Sequence, residues 1–418
     1  MLLYDVIVVG AGAAGLLAAG RAGELGARVL LVERNHTAGR KLLITGKGRC
    51  NLTNTSPVSE YFKKIHPNPR FLNHAFGVFF SNDIIKLLES QGLATVEERG
   101  RRVFPAGEKS AFVVDALNKW VLRNNAEFLY GVRVKRLIMV DGVLQGLEIL
   151  DGDKLIPVKG KKIIIATGGK SYPATGSTGD GYLLAQQAGH SIEPLLPALV
   201  PLETDGQIAP MLQGLSLKNV KASLWVDGKL AGEEFGEMLF THFGLSGPII
   251  LTLSRLAVNA LNKKCRVEIS IDLKPALSEK ILDARLMRDL NEHGRKKIIN
   301  LFKLWLPAAM IDVFLILTQI SEETLGHQVT GTMRRAILRH MKDFRFIINK
   351  SRSFKEAIIT AGGIKTTEVH SKTMESRLLN NLYFAGEVLD LDADTGGYNL
   401  QIAWSTGWLA GQSAANSI

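Results

Sequence analysis

The chain has 418 residues, of which 46% are hydrophobic and 22% charged, and 51 basic against 40 acidic residues give a net charge of +11. This composition excludes a disordered chain, and no apolar run approaches the ~20 residues that span a bilayer, so no transmembrane segment is expected. Two cysteines, Cys50 and Cys265, exclude a disulfide framework. Because the first strand pattern follows the N-terminus without a basic leader, the chain is predicted to be cytoplasmic.

The first predicted element is a strand over Tyr4–Val9, which leads through a glycine-rich turn into a helix and then into a second strand over Arg28–Val32. The turn carries the spacing G-x-G-x-x-G at Gly10, Gly12 and Gly15. In such a unit the glycines allow a tight turn, a close approach of a pyrophosphate and close helix–strand packing. Glu33 follows at the distance where a carboxylate accepts hydrogen bonds from ribose hydroxyls, and its charge disfavours a 2′-phosphate. The pattern predicts a dinucleotide site.

The later part of the chain favours FAD over NAD. Residues 161–166 form a predicted buried strand that ends in Thr167-Gly168-Gly169, and residues 382–387 form a strand that ends in Gly386-Glu387. Asp394–Gln401 then opens a last helix, whose N-terminus would stabilise negative charge on a reduced flavin. The chain therefore returns to the cofactor at its C-terminal end, as in flavoproteins whose FAD domain is divided by an insertion.

The middle of the chain changes character twice. Residues 194–275 contain short alternating stretches separated by turn residues, which predict a small β-barrel or sandwich. Residues 276–343 have helical periodicity, and one predicted helix, 331–343, carries a basic face. Residues 344–360 return to the β part.

The run Gly-Arg-Cys-Asn-Leu-Thr-Asn at 48–54 is the most distinctive in the chain. Together with Thr360–Gly363 and Asp394–Gln401, it resembles the BaiN-like (YhiN-type) flavoprotein family over essentially the whole length. The resemblance implies an α/β fold: a Rossmann-like two-dinucleotide-fold FAD domain with an inserted β-barrel domain that itself carries a helical subdomain. We expect the FAD domain at 1–193 and 361–418, the barrel at 194–275 and 344–360, and the helical insert at 276–343.

Members of this family are described as NAD(P)/FAD-dependent oxidoreductases. Some are linked to bile-acid dehydroxylation, and others act as dihydrouridine synthases on large-subunit ribosomal RNA. Both activities would add a hydride to a conjugated, electron-poor double bond. NAD(P)H is the candidate reductant, although the chain has no second complete G-x-G-x-x-G for it.

The predicted cofactor contacts combine these motifs. Arg40 and Lys41 are expected to contact FAD phosphate or adenine, with a solvated basic pair as the alternative, and the loop at Gly46, Gly48 and Asn51 is expected to lie close to the isoalloxazine. The complete predicted set is Gly10, Gly12, Ala13, Ala14, Gly15, Glu33, Arg34, Arg40, Lys41, Gly46, Gly48, Arg49, Cys50, Asn51, Val134, Thr167, Gly168, Gly169, Gly386, Glu387, Asp394, Gly396, Gly397, Tyr398, Asn399 and Leu400.

Two residues are candidates for catalysis. Cys50, flanked by Lys47 and Arg49, is expected to have a lowered pKa and to donate a proton after hydride transfer, with a small buried side chain as the alternative. His242 lies in a motif that the resemblance places near the flavin, although a histidine beside aromatic residues is more often structural. No metal-ligand cluster is recognised.

The positive charge separates the functional hypotheses. Residues 40–70 hold seven basic residues and one acidic residue, which favours a polyanion such as ribosomal RNA, although a bound phosphate cofactor is the simpler explanation. The first hypothesis is therefore reduction of uridine in ribosomal RNA. The alternatives are a small-molecule enoyl or steroid reductase and a non-catalytic flavin-binding protein that associates with RNA or senses redox state. The oligomeric state is not predicted.

Overall fold

A computed structural model of the chain describes residues 3–418. The strands, in chain order, are β1 (Leu3–Val9), β2 (Val29–Glu33), β3 (Thr53–Asn54), β4 (Ile65–His66), β5 (Thr95–Glu98), β6 (Arg102–Pro105), β7 (Ala126–Tyr130), β8 (Arg133–Val140), β9 (Val143–Asp151), β10 (Lys154–Ile165), β11 (Ile192–Ala198), β12 (Leu202–Thr204), β13 (Ser216–Val226), β14 (Lys229–Thr241), β15 (Gly244–Ser246), β16 (Val267–Asp272), β17 (Phe344–Ser351), β18 (Ile359–Ile364), β19 (Leu382–Phe384) and β20 (Asp392–Ala393). The helices are α1 (Ala13–Glu24), α2 (Arg40–Ile44), α3 (Val58–Lys64), α4 (Asn73–Val78), α5 (Ser81–Ser90), α6 (Ser110–Arg123), α7 (Asp180–Gln187), α8 (Ile208–Met211), α9 (Pro248–Asn262), α10 (Glu279–Glu292), α11 (Ile298–Trp305), α12 (Ile311–Thr318), α13 (Gly331–Lys342) and α14 (Tyr398–Asn416).

The chain divides into two compact units. One extends to Leu196 and resumes over Ala357–Ile418, and the other is Pro197–Glu356. The three-part division expected from the sequence stays a prediction. Among the described residues, no helix is both long enough and apolar enough to cross a membrane.

The discontinuous unit is built on a mixed sheet with the strand order β7-β2-β1-β10-β9-β8, and β19 also pairs with β10. β1 runs parallel to β2 and to the second half of β10, whose end is also parallel to β19. The first half of β10 pairs antiparallel with β9. Every residue of β2 is buried, as expected for a parallel strand covered on both faces. The predicted Rossmann-like α/β fold is confirmed.

The first and last helices of this unit pack against each other with their backbones in close approach. A Cβ added at Gly407 of α14 would lie 2.2 Å from the Ala14 carbonyl oxygen, and one at Gly411 would lie 2.2 Å from that of Ala18. The glycines of the C-terminal segment therefore allow α14 to lie directly on α1, the helix that follows the glycine-rich turn.

The second unit is a closed barrel with the strand order β12-β15-β14-β13-β16-β17, all pairs being antiparallel. The inserted barrel of the predicted fold class is confirmed. Its buried strand residues, such as Leu224 and Ile269, form one hydrophobic cluster with Leu286, Phe302 and other residues of the helices between β16 and β17. Barrel and helices of this unit thus share a core.

Candidate functional site

The candidate site lies at the carboxyl edge of the parallel strands. The strand-end carbonyls of Val9, Val32 and Ile165 accept hydrogen bonds from the next segment at this edge, from the backbone N–H groups of Ala166, Gly10 and Ala385, at 2.9, 2.8 and 3.0 Å. In open α/β sheets ligands bind outside the carboxyl ends of the strands. The segments that leave β1, β10 and β19 are therefore brought together where a ligand is expected.

The three glycines of the first turn differ in what requires them. Gly10 has φ 102°, and a Cβ on Gly15 would lie 1.7 Å from the Gly10 carbonyl oxygen, so both are needed by the fold itself. Gly12 has φ −86°, and a Cβ added there would meet no protein atom within 4 Å. Neither backbone geometry nor packing requires glycine at position 12, whereas close approach of a phosphate to the start of α1 does. The glycine-rich turn thus fits a dinucleotide.

Glu33 lies at the end of β2, beside that turn. Its side chain is only 8% exposed, and one carboxylate oxygen accepts from the Ala11 N–H at 2.8 Å. The other accepts from the Asn35 backbone N–H at 2.8 Å and from the Asn35 amide at 2.7 Å. The Asn35 amide oxygen in turn accepts from Arg40 at 3.0 Å. Arg40 is therefore connected to Glu33 through Asn35, a residue that the sequence reasoning did not identify.

Lys41 contacts a different part of the site. Its ammonium group donates to Glu387 and to the Ser171 hydroxyl, each at 2.7 Å, and the hydroxyl donates to Glu387 at 2.7 Å. The Thr360 backbone N–H also donates to Glu387, at 2.9 Å. This network joins helix α2 to the segments after β10 and β19. Ser171 was missed because nothing in its local sequence marks it.

Thr167–Gly169 follow β10 at the same edge. Gly168 has φ 73°, and a Cβ on Gly169 would lie 2.5 Å from the Thr360 hydroxyl and 2.7 Å from a Glu387 carboxylate oxygen. Gly386, after β19, lies against α1, because its Cβ would be 2.8 Å from that of Ala14. Ala13 and Ala14 are the first residues of α1. The structure therefore places all these predicted residues along one edge.

Arg34 and Val134 lie farther along the sheet. Arg34 donates to Thr178 at 2.5 Å and to Asp180 at 3.4 Å, and Arg133 forms two bonds of 2.6 and 2.7 Å with the same carboxylate. Burial alone would raise the pKa of Asp180, but the arginines lower it below its usual value. Val134 is buried in β8, next to Arg133. The charge of Arg34 is thus shared with protein groups.

The loop at 46–54 joins the start of α14. The Asn51 amide, oriented as its hydrogen bonds require, donates to the Thr53 carbonyl and accepts from the Gly397 N–H, both at 3.1 Å. Gly46 and Gly48 have φ 60° and 85°. A Cβ on Gly397 would lie 2.6 Å from the Thr53 backbone. The structure thus brings the distinctive run and the helix start together.

The residues around the start of α14 hold its loop in place. Asn399 accepts from the Ala393 N–H at 2.9 Å and donates to the carbonyl of the same residue at 2.7 Å. Asp394 forms an ion pair with Lys64 at 3.0 Å. The remaining predicted residues of the segment are half-buried: Gly396, Tyr398 and Leu400.

The structure corrects the expectation for Cys50. The side chain is 0% exposed within the core of its unit, and burial raises the pKa of its thiol to about 12. Arg49 does not lower it, because the guanidinium pairs with Glu98 and with Glu108 at 3.0 Å and lies over the ring of Phe104. The predicted lowered pKa is therefore wrong, and the small buried side chain is the better description.

His242 lies in the other unit, in the turn between β14 and β15. It is exposed, and its ring meets that of Phe243 edge-on at 4.9 Å. The neighbouring Thr241 hydroxyl accepts from the Gly244 N–H at 3.1 Å, which fixes the turn. A catalytic role for His242 stays a prediction.

Comparison with solved structures supports this fold. Sdh1 of Mycobacterium smegmatis, in a structure described as its complex with UQ1, superimposes with a TM-score of 0.53 at 16% identity, over 100% of this chain and 69% of that one. At such low identity the likeness shows the fold alone.

Sequence comparison identifies the family. The model described as HI0933-like protein Rossmann domain matches residues 4–413. A relative from Escherichia coli (strain K12), named ribosomal RNA dihydrouridine synthase, is 32% identical over 98% of this chain and 97% of its own length. A relative from Clostridium scindens, named 3-dehydro-bile acid delta(4,6)-reductase, is 30% identical over 98% of both chains. The chain therefore belongs to the HI0933-like (BaiN/YhiN-type) family of Rossmann-fold flavoprotein oxidoreductases.

Proposed function

We propose that the chain binds FAD at the carboxyl edge of β1, β2, β10 and β19 and uses it to reduce a conjugated carbon–carbon double bond. The observation that carries the proposal is Gly12, a glycine that neither its backbone angles nor its packing requires. The free N–H groups at the start of α1 would hold the pyrophosphate, and Glu33 would accept from the adenosine ribose. Both oxygens of its carboxylate already accept one or two N–H bonds and keep capacity for more.

When bound, a reduced flavin supplies a hydride to the substrate. The protein has to bind, orient and provide charge. Lys41 and Glu387 would hold the middle of the cofactor through the network that they form with Ser171. The start of α14, which Asn51 and Asn399 fix, would direct its positive dipole end at the ring that gains negative charge.

The substrate that we propose is uridine in large-subunit ribosomal RNA, converted to dihydrouridine. The relative from Escherichia coli that carries this name in its description aligns over nearly the whole of both chains. The net charge of +11 suits a polyanionic substrate, because phosphate contacts supply most of the affinity for nucleic acid. Such a substrate would place the protein in the cytoplasm.

A small conjugated ketone is the second candidate substrate. The relative from Clostridium scindens is named as a bile-acid reductase and aligns equally completely. Reduction of an enone and reduction of uracil both add a hydride to a double bond in conjugation with a carbonyl group. The two candidates differ in charge, since the ketone gives the basic surface no function.

NAD(P)H is the reductant that we propose. It would bind transiently, because the sequence offers no second complete dinucleotide fingerprint. Mixing the oxidised holoprotein anaerobically with NADH or NADPH should bleach the flavin absorbance. A flavin that neither nucleotide reduces would contradict this assignment.

The substrate is tested in a strain that lacks the gene. Its ribosomal RNA is digested to nucleosides and dihydrouridine is quantified by mass spectrometry. We expect loss of dihydrouridine, restored by the wild-type gene and by Gly77→Ala, but not by Gly12→Ala or the bulkier Gly12→Val. Gly77 is the matched control, since a Cβ added there also meets nothing within 4 Å.

The purified variants complete this test. Gly12→Val should fold, because its side chain enters open space, but should lose FAD. Unchanged dihydrouridine in the deletion strain would contradict the RNA substrate and direct the search to enones. A Gly12→Val protein that retains FAD would contradict the proposed cofactor site.

A further inference from the structure

The basic clusters of the sequence are not equally available to a partner. On α13, Arg334 pairs with Asp283 at 2.7 Å, and Lys342 pairs with Asp272 at 2.5 Å and is only 13% exposed. Much of the positive charge on that predicted basic face is therefore neutralised by carboxylates. Elsewhere, Lys161 is similarly paired, with Asp5 at 2.8 Å.

The hairpin of β5 and β6 has a different character. Its tip carries Arg99, Arg101 and Arg102, all exposed. Within residues 3–418, no carboxylate lies within ion-pair distance of any of these three guanidinium groups. Arg102 donates from Nε to the Arg99 carbonyl at 3.1 Å, which holds the tip compact. Three unneutralised guanidinium groups thus project from one tight turn.

The hairpin is physically joined to the candidate flavin site. β6 pairs with β3, and the Asn54 amide nitrogen, at the end of β3, donates to the Gly100 carbonyl at 3.0 Å and to the Gly396 carbonyl at 3.1 Å. The Arg101 carbonyl accepts from the Thr55 N–H at 2.9 Å. One side chain therefore bridges the arginine tip and the glycines that open α14. This gives the last residue of the distinctive 48–54 run a positioning role.

We propose that Arg99, Arg101 and Arg102, the arginine tip, bind the phosphodiester backbone of single-stranded RNA next to the start of α14. The inference rests on the proposed function, because it assigns the RNA contact of that same site. Guanidinium groups form bidentate hydrogen bonds with phosphate, and they bind it without regard to sequence. A target base has to leave its stack to be reduced, and backbone contacts beside the site would hold the unstacked strand.

RNA is the partner that the charge and the geometry favour over a small anion. The three arginines follow a backbone turn and surround no enclosed cavity, so they suit a repeating row of phosphates. An acidic neighbour is present in Glu60, whose pKa is lowered mainly by Lys63 and also by Arg101. That carboxylate is already paired with Lys63 at 2.7 Å, so the tip keeps its net positive field.

The test compares R99A/R101A with R335A/R339A, a control pair of exposed arginines on α13. Arg102 is left intact because its side chain holds the turn. Binding of a fluorescein-labelled oligouridylate is measured by anisotropy over a series of salt concentrations. R99A/R101A should weaken binding about ten-fold or more at about 0.15 M salt and lower the slope of log K against log salt by about two. The control pair should change neither quantity.

Further readouts separate docking from flavin chemistry. R99A/R101A should retain FAD and its reaction with an artificial electron acceptor, while failing to restore dihydrouridine in the deletion strain. R99K/R101K preserves the charge and should keep the salt slope, which also guards against a folding defect. Unchanged oligouridylate affinity and slope in R99A/R101A would overturn the proposed RNA contact.

The two proposals can fail separately. If wild type makes dihydrouridine while R99A/R101A binds RNA normally, the arginine tip is not the docking surface and the proposed function stands. If wild type makes no dihydrouridine but its RNA binding depends on Arg99 and Arg101, the docking surface stands and the proposed function fails.

Discussion

The thiol of Cys50 shows how burial decides what a residue can do. In the sequence it stands between basic residues, which suggested a reactive thiolate, but the side chain lies inside the core and its pKa rises to about 12. A thiolate, not a thiol, reacts with alkylating reagents. The neighbouring guanidinium of Arg49 is directed to carboxylates, so sequence proximity did not become spatial proximity of charges.

Alkylation should therefore distinguish the two cysteines. At pH 9, iodoacetamide should modify half-exposed Cys265 in the native protein and leave Cys50 intact, because Cys50 is protonated and inaccessible. Both should react after unfolding in urea. Mass spectrometry of tryptic peptides measures the result. Rapid native labelling of Cys50 would contradict the burial, and normal turnover of Cys50→Ala would confirm that the thiol is not the proton donor.

Lys41 and Glu387 should be energetically coupled. The pair is about three-quarters or more buried, with side chains 25% and 20% exposed, and shares a hydrogen bond network with Ser171. A double-mutant cycle of Lys41→Met and Glu387→Gln, measured by urea unfolding, should give a coupling free energy of about 1 kcal/mol or more. The exposed pair Lys63–Glu60 is the control and should show no measurable coupling. Equal coupling in the two pairs would contradict the structural importance of the network.

At the scale of elements, α1 and α14 depend on glycine at their contact. Gly407→Ala and Gly411→Ala would each place a Cβ 2.2 Å from a carbonyl oxygen of α1. We expect each to lower the free energy of unfolding by about 1–3 kcal/mol, since overpacking forces the helices apart. Gly77→Ala in α4, which meets nothing, should be neutral or stabilising by about 0.5–1 kcal/mol. Urea denaturation measures both, and a neutral Gly407→Ala would contradict the close packing.

The elements also show what the sequence could predict. β1 and the end of β10 were recognised because they are continuous apolar runs followed by glycines. The hairpin of β5 and β6 was not, because the four residues of β5 read Thr-Val-Glu-Glu with no buried member. Its order comes from pairing with β3, a contact between distant segments. The candidate site followed the same rule: turn glycines were predictable, whereas Ser171 and Asn35 act through tertiary hydrogen bonds.

At the scale of the whole molecule, two separate hydrophobic clusters belong to the two units. Every residue proposed to hold FAD, from Gly12 to Asn399, lies in the discontinuous unit. A ligand stabilises the folded state that binds it by mass action, by about 2.7 kcal/mol at a concentration 100 times its Kd. The cofactor should therefore act unequally on the two parts of the chain.

Hydrogen exchange can measure that inequality. Apoprotein is prepared by removing the flavin, and exchange is followed by mass spectrometry with and without added FAD. Amides of β1, α1 and the second half of β10 should become more protected, while those of β13 and β16 in the barrel should change little. The Gly12→Val variant should show no FAD-dependent protection in either unit, and Gly77→Ala should behave as wild type. Protection that rises equally in the barrel strands would mean that FAD binding also orders the Pro197–Glu356 unit, and the set of residues proposed to hold the cofactor would then be incomplete.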